Sequence, residues 1–127
     1  MMNRFPALFF SLSLIGLILI YQSAKVLEPK PMPIASIDNS AIGEYVEITG
    51  YIESVEFGKN AVFIKLSDGY KNIEVVVFSE LMKALGDRIK NDFSIGSVVS
   101  VRGTVSEYKG SLEIVPERVS DFKKLAK

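Results

Sequence analysis

The chain begins with an uninterrupted apolar run and then changes to short segments in which apolar and polar residues alternate. Residues 5–24 contain no charged side chain, and Arg4 precedes them. A helix of that length crosses the roughly 30 Å hydrocarbon core of a bilayer. Leucine, isoleucine and phenylalanine cover all of its faces, which is not typical of a core helix in a globular domain. The pattern therefore predicts one transmembrane helix within residues 1–25.

A cleaved signal peptide is the alternative interpretation of this apolar segment. Signal peptidase prefers a small residue three positions before the cleavage site, yet cleavage after Ala24 would place Gln22 there. Cleavage after Ser23 would place Tyr21 there, so an uncleaved anchor is favoured. The very short N-terminal tail favours a single-pass protein whose globular domain lies outside the cytoplasm.

A proline-rich stretch follows the apolar run. Val26–Ser36 reads "VLEPKPMPIAS" and contains three prolines within five residues. Such a sequence is extended and semi-rigid. We interpret residues 26–40 as a linker that holds a domain over residues 41–127 away from a bilayer.

Five strand-like runs, separated by glycine-containing turns, make up the rest of the chain. The first, Glu44–Glu56, alternates between apolar and polar residues, and Gly50 in its middle permits a bend or a close backbone approach. In the second run Phe63 and Lys65 point outward, and the Asp68-Gly69 turn leads to the third. The residues predicted to face inward are Val46, Ile48, Ile52, Val62, Ile64, Leu66, Val75, Val77, Val99, Val101 and Val105.

A short helix is predicted between the third and fourth strands. Ser79 is the expected N-cap, and Gly86 weakens or ends the helix. Its apolar stripe consists of Leu81, Met82, Leu85 and Ile89. A turn at Lys109-Gly110 leads to the fifth strand, which stops at Pro116, and Val119 and Phe122 pack the tail on the barrel. This order predicts an all-β, five-stranded, partly open Greek-key barrel preceded by one transmembrane helix.

Composition narrows the possible chemistry. The chain has neither cysteine nor histidine, which excludes disulfides, zinc-thiolate sites, thiol nucleophiles and histidine bases. Asp38, Asp68 and Asp92 lie in predicted turns, so we expect no enzyme, no cofactor and no metal site. Residues 1–27 contain only Arg4 and Lys25 of the 15 basic groups, which leaves 13 basic and 15 acidic groups beyond them. A net charge of −2 excludes a strongly basic domain.

Five segments carry a family resemblance over roughly residues 42–119. They are "VEITGYI" (Val46–Ile52), "VFIKLSDG" (Val62–Gly69), "IEVVVF" (Ile73–Phe78), "IGSVVSVRGTV" (Ile95–Val105) and "GSLEIV" (Gly110–Val115). Together they resemble the OB-fold nucleic-acid-binding domains of the tRNA-anticodon-binding and exonuclease VII large subunit type. The resemblance implies a binding face on strands 2 and 3, flanked by connecting loops.

The resemblance implies single-stranded nucleic acid as the ligand of that face. The ligand-binding residues expected by position are Tyr51, Phe63, Lys65, Arg102, Tyr108 and Lys109. Phe57, Lys59, Tyr70 and Lys71 close the rim.

Structural roles are an alternative for the same residues. Phe63 can be buried under the linker or the tail, Lys65 can be an ordinary surface charge, and Arg102 can pair with Glu113. Glutamates at positions 47, 53 and 74 are expected on the same face, where they repel phosphate.

A second resemblance gives the alternative function. An N-terminal anchor followed by a five-stranded barrel is similar to the haem chaperone of cytochrome c maturation, which attaches haem through a histidine or a cysteine. This chain has neither, so covalent haem handling is not expected. The alternative is an exported accessory or chaperone-like domain that binds a protein, a glycan or a small molecule. A purely structural protein-interaction domain is a third possibility.

Overall fold

Alternation of apolar and polar residues produces long strands, which the computed structural model describes together with their connections over residues 28–126. Within that range the strands are β1 (Lys30–Pro31), β2 (Tyr45–Phe57), β3 (Ala61–Ser67), β4 (Asn72–Phe78), β5 (Val98–Tyr108), β6 (Ser111–Val115) and β7 (Phe122–Ala126). The α-helices are α1 (Ser79–Leu85) and α2 (Arg88–Asp92). Single 3₁₀ turns occupy Ile34–Ser36, Asn39–Ala41 and Val119–Asp121.

Strands β2 to β6 close into a barrel. The strand order is β1-β2-β3-β4-β6-β5-β7, and an additional pairing of β2 with β5 joins the sheet to itself. The pairings β1–β2 and β4–β6 are parallel, and the others are antiparallel. The predicted five-stranded barrel with a short helix between its third and fourth strands is therefore confirmed, with α1 lying between β4 and β5.

Strand β2 belongs to both halves of the barrel because it bends. Residues Tyr45–Tyr51 pair with β5, whereas Tyr51–Phe57 pair with β3, and the register shifts between Ile52 and Ser54. A β-carbon on Gly50 would lie 2.7 Å from the carbonyl oxygen of Ser67. The close backbone approach predicted at this glycine is therefore present.

The predicted inward-facing residues form the core. Every one of them is at least 98% buried. Full burial of a valine or isoleucine side chain contributes about 1.5–3 kcal/mol, so the barrel interior is the main source of stability. The tail packs as expected, because Val119 is partly buried against the core and the rings of Phe93 and Phe122 lie 5.0 Å apart.

Helix α1 follows β4 without an intervening loop. Leu81 and Leu85 are buried, and the helix ends where predicted, because Gly86 has a φ of 56° and donates its N–H to the Met82 carbonyl. The predicted N-cap at Ser79 is wrong. Since β4 continues to Phe78, Ser79 is already the first helical residue and Phe78 holds the cap position without a side-chain hydrogen bond.

The N-terminal segment packs on the barrel from Lys30 onward. Strand β1 pairs with Val46 and Glu47, and the Met32 N–H donates to the Glu47 carbonyl at 3.0 Å. Ile34 and Ile37 belong to the core and are only 3% and 4% exposed. Within the segment interpreted as a linker, residues 26–40, these two side chains pack on the barrel, whereas most of the residues around them are exposed.

The predicted transmembrane helix falls on residues 5–24, which lie outside the described range. Within residues 28–126, no helix has the length and apolar character needed to cross a membrane. The longer of the two α-helices there, α1, has seven residues.

Candidate nucleic-acid interface

The outer face of β3 and β4 is a mixed apolar and charged surface. Phe63 lies opposite Val76, and Lys65 lies opposite Glu74. Phe63 is half-buried, because its ring lies against the backbone of Gly58 in the β2–β3 turn. The ring therefore covers the end of the face next to the β2–β3 turn. Lys65, two residues further along β3, is the charged residue of this strand.

An open groove of about 560 Å³ lies between this face and the β5–β6 hairpin. Lys65 reaches it from β3, Lys71 from the β3–β4 turn, and Lys109 from the β5–β6 turn. Three cationic side chains from three separate elements therefore line one groove. Its other lining residues are Ile34, Ile37, Asn72, Ile73, Glu74, Tyr108, Ser111, Leu112 and Glu113.

The β3–β4 turn is fixed by the Asp68 carboxylate. It accepts hydrogen bonds of 2.8 Å from the backbone N–H groups of Tyr70 and Lys71. These bonds hold the pKa of Asp68 below its ordinary value. Gly69 supplies the positive φ of 101° that the turn requires. Asp68 thereby positions Lys71 at the groove and leaves Tyr70 96% exposed.

The β5–β6 turn presents an aromatic ring with a cation beside it. Lys109 adopts a positive φ of 52° and is followed by Gly110, as in a tight two-residue hairpin turn. Tyr108 is 61% exposed, and the Lys109 ammonium lies 5.3 Å from the centre of its ring. This geometry is a cation–π contact, and it keeps both groups at the groove edge.

Two neighbouring carboxylates form the acidic part of the groove. Glu74 and Glu113 are paired positions on the parallel strands β4 and β6. Burial raises the pKa of the Glu113 carboxyl, and the nearby charge of Glu74 raises it further. Among the residues described, neither carboxylate lies within ion-pair distance of a basic group. These oxygens repel phosphate but accept hydrogen bonds from amino groups of bases.

The other predicted ligand residues occupy different places. Tyr51 lies on the outer face of β2, opposite Ser67, and is 38% exposed. Arg102 lies outside the groove, on β5, where its Nε donates to Glu47 Oε2 at 3.4 Å. The alternative pairing of Arg102 with Glu113 is wrong, because the register places Arg102 opposite Glu47 and Glu113 opposite Ser106.

Two parts of the groove were missed by sequence reasoning. One wall is the N-terminal segment, through Ile34 and Ile37; the only available signal was their apolar character directly after the prolines. The other is Glu113, which reaches the groove through the β4–β6 pairing between strands distant in sequence. Within residues 28–126, no cluster of three or more acidic groups is placed to hold a metal ion.

Fold and sequence together define the class of this protein. Residues 43–122 match the family described as the OB-fold nucleic acid binding domain, in the tRNA anticodon group. The match covers well over half of the chain, so the protein belongs to this family. The resemblance of the five sequence segments to OB-fold nucleic-acid-binding domains of the tRNA-anticodon type is thereby confirmed.

The relatives described next share about a third or less of their aligned residues with the chain. The chain is 32% identical over 111 residues to an uncharacterized protein of Methanocaldococcus jannaschii, covering 80% of this chain and 53% of that protein. It thus spans about half the length of this curated relative. An OBody bound to hen egg-white lysozyme superposes with a TM-score of 0.65 at 25% identity, covering 80% of this chain and 99% of the OBody.

Two further solved structures share the fold at lower identity. The Stn1-ten1 complex of S. pombe matches with a TM-score of 0.64 at 20% identity, covering 79% of this chain and 80% of the matched chain. Asparaginyl-tRNA synthetase of Pyrococcus horikoshii matches with a TM-score of 0.60 at 16% identity, covering 78% and 24% respectively. At these identities the likeness shows the barrel fold alone.

Proposed function

We propose that this protein binds single-stranded nucleic acid in the groove between the β3–β4 and β5–β6 hairpins. The observation that carries the proposal is the convergence of Lys65, Lys71 and Lys109 beside the exposed ring of Tyr108. Membership of the OB-fold nucleic acid binding family supports the class of ligand. We also take residues 5–24 as a membrane anchor and expect no catalytic activity, since the chain lacks histidine and cysteine.

Charges of both signs in the groove act on the phosphate part of a nucleotide. Lys65, Lys71 and Lys109 attract phosphates, whereas Glu74 and Glu113, which line the same groove, repel them. The bases therefore turn toward Tyr108 and the outer face of β3. Stacking of one base on an aromatic ring contributes about 1–3 kcal/mol, and Phe63 and Tyr51 extend the same surface along β3 and β2.

Neutralising the groove lysines tests this proposal. In fluorescence anisotropy with labelled single-stranded oligonucleotides, the full chain in non-ionic detergent should bind at low salt. Each of Lys65→Gln, Lys71→Gln and Lys109→Gln should weaken binding and lower the slope of log affinity against log salt by about 0.7. Tyr108→Ala should weaken binding roughly tenfold or more.

Lys90→Gln is the matched control, because Lys90 is exposed on α2 and does not line the groove. It should leave affinity and salt slope unchanged. The proposal is wrong if the wild-type chain shows no saturable binding at low salt. It is equally wrong if Lys90→Gln weakens binding as much as the groove substitutions do.

A protein ligand is the second candidate for the same groove. The OBody that shares this barrel at 25% identity is bound to a protein, hen egg-white lysozyme. The acidic residues Glu74 and Glu113 would suit a basic segment of a protein partner. In this case the protein is an exported accessory domain, and oligonucleotides bind no better to the wild type than to the Lys65→Gln variant.

A further inference from the structure

The connection between the barrel and the predicted anchor is short. Packing on the barrel begins at Lys30, and the apolar run ends at Ala24. A fully extended chain covers at most about 3.3–3.6 Å per residue, so Glu28 lies within roughly 14 Å of the end of the apolar run. The surface that surrounds Glu28 is therefore the part of the barrel nearest to a bilayer.

That surface contains a cleft of about 610 Å³, whose two walls are formed by Glu28, Pro29 and Pro31 and by Arg118, Ser120 and Asp121. Tyr45 and Arg102 lie between the two walls. We call this surface the cleft face. It is separate from the lysine groove, and no lining residue is shared between them.

The cleft face is held rigidly by a buried carboxylate. Asp121 is 3% exposed; its Oδ2 accepts the backbone N–H groups of Glu117 and Arg118 at 3.0 Å, and its Oδ1 accepts the Tyr45 hydroxyl at 2.9 Å. Arg118 Nη2 in turn donates to the Tyr45 hydroxyl oxygen at 2.9 Å. These hydrogen bonds join the turn to the start of β2, so both sides of the cleft face belong to one connected surface of the barrel.

Charges of both signs surround the cleft. Lys30 and Arg118 are exposed, and the Arg118 side chain is 67% accessible. Glu28, Glu44 and Glu117 are exposed on the same side. A zwitterionic phospholipid headgroup carries a phosphate and a quaternary ammonium, so it offers a partner to each sign of charge.

We propose that the cleft face lies against the phospholipid headgroup layer. The inference rests on the membrane anchor of the proposed function and adds an orientation to it. The barrel sits on the bilayer through residues 28–31 and 117–121, while the turn at the far end of β2, residues 58–60, points away from it.

Site-specific labelling tests the orientation without background, because the chain contains no cysteine. Ser120→Cys places a fluorophore on the cleft face, and Asn60→Cys places one in the β2–β3 turn; both residues are exposed. The full chain is reconstituted in phosphatidylcholine vesicles that contain headgroup-spin-labelled phosphatidylcholine. We expect the spin label to quench the fluorophore at position 120 several-fold more strongly than the one at position 60.

Glu117→Cys gives a second position beside the cleft face, in an adjoining cleft that shares Tyr45 and Arg118 with it, if labelling at Ser120 disturbs folding. Equal quenching at both ends of the barrel, or stronger quenching at position 60, overturns the proposed orientation. Flotation with the vesicles is measured on the same samples. A chain that does not float refutes the anchor itself, and this result is distinct from a floating chain with the wrong quenching pattern.

Discussion

Among single residues, Glu113 makes the groove sensitive to pH. Its carboxyl is half-buried beside Glu74, and burial is the larger cause of its raised pKa. The folded chain therefore holds this proton more tightly than the unfolded chain does. The contribution of Glu113 to stability falls as pH rises from the usual pKa of 4.5 through the raised value. Over the same interval the groove gains a negative charge.

We expect Glu113→Gln to bind single-stranded oligonucleotides more tightly at neutral pH. Removing one charge from a partly solvated groove changes affinity by roughly 0.5–1 kcal/mol, or about two- to fivefold. Wild-type affinity should rise as pH falls through the raised pKa of Glu113, and the variant should lose that part of the dependence. Anisotropy titrations across pH measure both effects, with Glu80→Gln on the exposed side of α1 as control. An unaltered pH profile in Glu113→Gln contradicts this account.

Gly103 is required by packing rather than by its φ angle. A β-carbon at this position would lie 2.7 Å from Ile114 Cγ2 and 2.8 Å from the carbonyl carbon of Val115. We expect Gly103→Ala to destabilise the domain by roughly 1–3 kcal/mol, because the backbone of β6 must move. Urea unfolding measures the loss. The control is Thr104→Ala, at the next residue and on the outer face, which should lower the free energy of unfolding much less. If both variants lose the same stability, the close contact between Gly103 and β6 is not the cause of the loss.

Among the elements, the 3₁₀ turn Val119–Asp121 connects the C-terminal strand to the start of β2 through the carboxylate of Asp121. We expect Asp121→Ala to lower the free energy of unfolding by roughly 1–3 kcal/mol, because three partly buried donors lose their acceptor. Tyr45→Phe should cost about 0.5–1.5 kcal/mol. A double-mutant cycle by urea unfolding should show coupling between the two positions; additive losses would mean that their hydrogen bond contributes nothing.

Elements with a repeating pattern could be predicted, and elements fixed by distant partners could not. Alternation in β2 and β3 identified the inward-facing residues because each strand has one buried face. Strand β1 has only two residues and lies among prolines. It is too short to show the alternation of apolar and polar residues that would reveal its pairing with β2. Asp121 and Tyr45 are 76 residues apart, and no local pattern connects them. The groove was predicted in part, since Lys65 and Lys109 follow from family position whereas Glu113 depends on the β4–β6 register.

For the molecule as a whole, the net charge does not describe the local distribution of charged side chains. Residues 28–127 carry a net charge of −2, yet three lysines converge in one groove. A domain of this net charge has no long-range attraction for nucleic acid. The proposed binding therefore depends on the short-range fit at the groove, and we expect it to be confined to that surface.

The proposed orientation of the chain in a membrane is directly measurable. We expect a reporter fused after Lys127 to be active only outside the cytoplasm, as an extracytoplasmic position of the barrel requires. Two fusions are compared in vivo, one with a reporter that functions only outside the cytoplasm and one with a reporter that functions only inside it. The fusion that is active shows on which side of the membrane the C-terminus lies. Activity of the cytoplasmic reporter alone contradicts the orientation and would place the groove where nucleic acid is abundant.

The packing of residues that are distant in sequence also determines when the domain can be completed during synthesis. Ile34 near one end and Phe122 near the other belong to the same core, and β7 completes the sheet beside β5. Contacts between residues so far apart in sequence make folding slow. Strand β7 can therefore add to β5 only after residues 122–126 have left the ribosome. Until then, the edge of β5 that pairs with β7, Val98–Val101, has no partner on that side.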